Sequence, residues 1–109
     1  MFDVLSRDER MLLLKFVCAF AWTDLKVHEG ERRFVLRLVD RLELADEDAA
    51  QVREWLAISP SPQSLDPKMI PRDHRRAFIE AVRAVIYADG HVDREEREQL
   101  EKLKAALGA

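Results

Sequence analysis

The stretch Val85-Ile86-Tyr87-Ala88-Asp89-Gly90-His91-Val92-Asp93-Arg94-Glu95-Glu96-Arg97-Glu98-Gln99-Leu100 decides the fold. An apolar helical stripe runs out near Ala88, Asp89-Gly90 supplies turn residues, and Asp93-x-x-Glu96 is the capping-box pattern that opens another helix. Helix, tight turn, helix is the reading. An earlier segment, Ala19 to Leu38, has the same punctuation in Ala21-Trp22-Thr23-Asp24-Leu25-Lys26-Val27-His28-Glu29-Gly30-Glu31-Arg32. Laying Asp24 over Asp89 without a gap brings Val17 onto Val82, Ala19 onto Ala84, Val27 onto Val92, Glu31 onto Glu96, Arg32 onto Arg97, Leu38 onto Leu103 and Leu42 onto Leu107. Matches that keep both the apolar spacing and the acidic positions argue for a duplicated helix-turn-helix. Two copies are too few for a solenoid, so they are expected to pack face to face as a pseudo-symmetric core.

Upstream, Ser6-Arg7-Asp8-Glu9 is a capping box that starts a helix. From Met11 to Trp22 nearly every side but Lys15 is apolar, which predicts a central element with no wide solvent face, and Cys18 reads as a small core hydrophobe. Phe34, Val35, Leu38, Val39 and Leu42 fall on one stripe, with Arg32, Arg33, Arg37, Asp40 and Arg41 mostly opposite. Asp46-Glu47-Asp48 places acids where the dipole of a new helix favours them, and that helix should stop near Ile58. The prolines of Ser59-Pro60-Ser61-Pro62-Gln63-Ser64 forbid a regular helix. Asp66-Pro67 then predicts a single capped turn from Pro67 to Ile70.

A helix from about Arg72 to Ala88 follows, with Phe78, Val82, Val85 and Ile86 at spacings of three and four among alanines. Leu100, Leu103 and Leu107 carry the last stripe to Gly108, and no strand pattern occurs. The expected fold is all-α: a compact bundle of about five to six helices, one domain over 1–109. Copy one spans about 7–58, the Pro/Ser connection 59–71, and copy two about 72–108.

A chain of 109 residues with 48% hydrophobic and 36% charged residues suffices for one modest core. Lys+Arg 18 against Asp+Glu 21 gives a formal charge of -3, mixed along the chain, which offers no footprint for nucleic acid. The single cysteine excludes an internal disulfide and a cysteine-cluster zinc site. With no basic leader and no apolar run long enough to span a bilayer, a cytoplasmic protein without stable membrane insertion is expected.

The pattern Ala88-Asp89-Gly90-x-Val92-x-x-x-Glu96, preceded by an apolar helix and followed by Leu100 and Leu103, resembles the signature of the TerB-like family. That family comprises helical domains of tellurite-resistance operons and relatives such as the membrane-anchored co-chaperone DjlA. Thr23-Asp24-Leu25-x-Val27-x-x-x-Glu31 resembles the family's N-terminal half, with Leu25 standing where the second copy has Gly90. The resemblance implies a small interaction or stress-response domain, related to tellurite resistance, that acts by docking a protein partner.

The same turns hold the candidate ligands. Asp24, His28 and Glu31 in one copy, and Asp89, His91, Asp93 and Glu96 in the other, mix carboxylates with imidazoles in a way that suits a divalent transition metal. A calcium-binding EF-hand is not expected, because Val85 and Tyr87 stand where earlier oxygen ligands are needed. The competing account is structural: Asp93 as N-cap, Glu96 as its partner, and Asp89 accepting turn amides. No cofactor is expected beyond such an ion. With no phosphate loop, nucleophile elbow or Cys and His pair, and little room for a pocket around an alanine-rich seam, no enzymatic activity is expected. His74, among Arg72, Arg75 and Arg76, reads as a solvated surface residue.

Overall fold

The computed structural model describes residues 5–22, 27–60, 65–88 and 94–108. All regular structure among them is helical: α1 (Arg7–Ala21), α2 (Glu29–Arg41), α3 (Asp46–Ala57), α4 (Arg75–Ile86) and α5 (Arg94–Ala106), with 3-10 turns at Pro67–Met69 and Arg72–His74. A Cα radius of gyration of 12.7 Å matches the value of about 13 Å for a packed chain of this size.

The local rules work where caps and prolines dictate. Ser6 Oγ accepts the Glu9 amide at 3.2 Å while Glu9 Oε1 takes the Ser6 amide at 2.8 Å, closing the capping box of α1. Asp66 Oδ1 accepts the Lys68 amide at 2.9 Å, so the Pro67 turn is capped as expected. The helix expected from Arg72 begins instead as a separate 3-10 turn, in which the His74 amide bonds the Pro71 carbonyl at 2.9 Å, and α-geometry starts at Arg75.

His74 is half-buried rather than solvated, because Nε2 lies 3.4 Å from Glu9 Oε2 at the head of α1. That contact starts α1 and α4 at the same end of the molecule. Further along, Phe16 meets Phe78 edge to face with ring centroids 6.2 Å apart, a favoured aromatic geometry.

α1 packs against α2, α3 and α4. This is why its sequence is apolar almost all round, with Leu13, Leu14, Phe16, Val17, Cys18 and Ala21 buried. Its head is tied to α3 by Arg7, whose Nε and Nη2 donate to Asp48 Oδ2 and Oδ1 at 2.9 and 2.7 Å. The bidentate bond to Arg7 holds the Asp48 carboxyl below its usual range. In the register that pairs Val17 with Val82, Met11, Lys15 and Cys18 of α1 fall on Arg76, Glu80 and Arg83 of α4, all exposed. Of these α1 positions Lys15 lies over the Trp55 ring of α3, whereas the matching α4 positions form a charged, exposed surface.

The same register lays α2 on α5 end for end, Glu29 on Arg94 and Arg41 on Ala106. Specific interactions recur with it. Arg10 Nη1 donates to the Leu42 carbonyl at 3.5 Å and Arg75 Nη1 to the Leu107 carbonyl at 3.0 Å, so each hairpin closes by a guanidinium on the last carbonyls of its second helix. Nε of both arginines is buried without a hydrogen-bond partner among the described residues. Glu43 (φ 51°) and Gly108 (φ 72°), one residue past the two C-caps, share the left-handed conformation that ends a helix.

Candidate functional site

Of the acidic-turn candidates, His28, Glu31 and Glu96 fall within the described residues, whereas Asp24, Asp89, His91 and Asp93 lie outside them. Glu31 is the third residue of α2 and 1% exposed; its Oε1 accepts the amide of the N-cap residue His28 at 2.9 Å. Glu96 holds the same place in α5 and is 3% exposed. A carboxylate in the first turn is favoured by the helix dipole and by the orphan amides there, which gives Glu31 a capping role. Among the described residues no group of three His, Cys, Asp or Glu side chains is placed to hold a metal ion.

A different feature stands out on the surface. A groove of about 810 Å³ opens between α1 and α5, floored by Phe16, Ala19, Phe20 and Trp22 of α1, closed at one side by Ser59, Pro60, Leu65 and Pro67, and walled by Glu95, Glu98, Gln99, Lys102, Leu103 and Ala106 of α5. The expected lack of room for a pocket therefore does not hold. Its physical origin is that α1 and α5 both lean on α4, while the Pro67 turn packs against α5 and props the space between.

The two walls differ in chemistry. The α1 side is wholly apolar, and the Trp22 indole is fixed because Nε1 donates to the Trp55 carbonyl at 2.8 Å. The α5 side presents exposed polar groups at spacings of three and four, with Glu98 Oε1 paired to Arg94 Nε at 3.1 Å. Such a groove can seat something that is apolar along one edge and charged along the other. A smaller hollow of about 440 Å³ lies beside Met11, Leu12, Trp55 and the exposed Met69, with Lys15 Nζ 5.9 Å from the Trp55 ring centroid. Cys18 is buried outside both, and burial pushes its thiol up to about 12, so it stays protonated at neutral pH.

Sequence reasoning missed the groove residues. Two signals were present: α5 has a second stripe, Glu95, Gln99, Lys102 and Ala106, distinct from its buried Leu100 and Leu103, and α1 carries more apolar faces than its neighbours can cover. No helix among the described residues is long and apolar enough to cross a membrane. No family model, curated protein or solved structure matches the chain.

Proposed function

We propose that this chain is a small non-enzymatic docking domain of TerB-like type, which binds a protein partner in a cytoplasmic stress response related to tellurite resistance. One observation carries the docking part: among the described residues a half-apolar groove of about 810 Å³ runs between α1 and α5, larger than the hollow of about 440 Å³ beside Met11 and Trp55. Grooves between helices are a common seat for peptide segments, because two flanking helices offer ridges on both sides of a third. The TerB-like and stress-response part rests on the resemblance of the two Asp-x-x-Val-x-x-x-Glu segments alone.

The alternative, a divalent-metal module built on Asp24, His28, Glu31, Asp89, His91, Asp93 and Glu96, ranks second because Glu31 already spends an oxygen on the His28 amide.

A photo-reactive amino acid at position 99, in the groove wall, tests the docking reading against the same group at position 37 on the exposed side of α2. A protein captured from position 99 and not from 37 should, once purified, bind the unmodified domain and lose affinity for Ala106→Trp, which fills the groove. Undiminished binding to Ala106→Trp would contradict the reading. Cells lacking the gene should be sensitised to tellurite and rescued by the unmodified domain but not by Ala106→Trp.

A further inference from the structure

We infer that the occupant of the α1–α5 groove is an amphipathic helix of about three turns whose polar edge is basic at the end lying beside the α5 N-terminus. This rests on the docking reading above and adds the partner's chemistry. Length comes first: groove residues of α5 run from Glu95 to Ala106, which at 1.5 Å per residue is about 17 Å, or three helical turns. Their spacing of three and four is one continuous face of α5, the surface into which the ridge of another helix fits.

The asymmetry of the walls then selects the class of occupant. An acyl chain would satisfy Phe16, Phe20 and Trp22 but leave the carboxylates and amide of α5 facing hydrocarbon, at a cost in lost hydration. An amphipathic helix laid lengthwise meets both walls, its apolar stripe on α1 and its polar edge on α5. Charge order sets the direction. Glu95 and Glu98 stand in the first two turns of α5, Gln99 in the middle, and Lys102 beyond it, so the partner's complement is basic, then neutral, then acidic along the same line. Among the described lining residues neither those of α1 nor Ser59, Pro60, Leu65 and Pro67 carry an ionisable group; the competitor on α5 itself is Arg94, whose bond to Glu98 at 3.1 Å is an exposed pair of small worth.

The test uses the full chain and three defined probes: a helical peptide with a leucine stripe and two lysines at one end of its polar edge, the same peptide with glutamates there, and a fatty acid such as myristate. Calorimetry should show the lysine peptide binding about tenfold tighter than the glutamate peptide at low salt, the scale of two rim charge pairs. The double variant Glu95→Lys with Glu98→Lys should reverse that order, and both carboxylates are exposed, so the fold is not at stake. Equal affinity of the two peptides, with amide shifts confined to the groove, would overturn the charge assignment and leave the docking reading standing. Myristate binding there in place of either peptide would overturn both in favour of a lipid site, and no binding by any probe would overturn both outright.

Discussion

Glu43 shows how a single residue reports on the construction of the fold. It holds φ 51° past the C-cap of α2, a conformation that costs an L-residue roughly 1 kcal/mol and costs glycine almost nothing. The corresponding position past α5 is Gly108, where an added Cβ would meet nothing within 4 Å. Glu43→Gly should therefore stabilise the protein by about 1 kcal/mol, and Gly108→Ala should destabilise it by a similar amount, both read from denaturant midpoints. A destabilised Glu43→Gly would mean that the side chain makes a contact worth more than the backbone strain.

Ionisation at this scale gives a second prediction. Hydrogen bonding holds Asp48, through Arg7, and Glu9, through the Ser6 amide, below their ordinary values of 3.8 and 4.5. Both are acids with depressed folded values, so their contribution is present above the ordinary range and is lost as pH falls through the folded values. Acid unfolding should steepen below about pH 4, and Asp48→Asn should flatten that limb. Cys18 acts in the other direction, because its folded thiol titrates near 12 against an ordinary 9.0; stability should decline as pH rises from 9 toward 12, and Cys18→Ala should remove that share of the decline.

Among the elements, α1 carries the most diverse packing, and its burial is uneven in a way that can be measured. Leu13 is 0% exposed, whereas Phe20, about three turns along α1 from the Glu9 contact with His74, borders the groove and is half-buried. Leu13→Ala should cost roughly 3 kcal/mol, as for other fully buried leucines, with a cooperative transition retained. A loss under 1 kcal/mol would show that the site collapses around the void and that α1 is not the rigid centre of the bundle.

Much of this element layer was legible in the chain. Helix α1 starts at its capping box, α3 ends at Ile58, and the Pro67 turn sits on its Asp-Pro signal, because caps and prolines act within a few residues of sequence. What could not be read were interactions closed by tertiary packing. Arg10 on Leu42, Arg75 on Leu107 and Arg7 on Asp48 each join residues more than thirty positions apart, and nothing in local pattern distinguishes those arginines from solvated ones. The groove was hidden for the same reason: it depends on where α5 comes to rest against α4, which leucine spacing does not fix.

For the whole molecule, the matched ends of α2 and α5, the paired arginine caps and the left-handed residues at Glu43 and Gly108 are like features at equivalent positions, which a duplicated hairpin predicts. If the pairs are duplicates, α1–α2 should superimpose on α4–α5 about a two-fold axis with Val17 on Val82, as crystallography can check. Side chains that fall on different faces would set the duplication aside. The two helix pairs also differ, since α1 packs against α3 while α4 keeps a charged exposed face and α5 borders the groove.

On the docking proposal the groove, and not the acidic turns, is where the molecule meets its partner. Amide spectra of isotopically labelled protein, recorded while the purified partner is titrated in, address it directly. Shifts clustered on Phe16 to Trp22 and on Glu95 to Ala106, absent in Ala106→Trp, are the predicted result. Shifts centred on His28 and Glu31 that require an added divalent ion, with the groove silent, would contradict it.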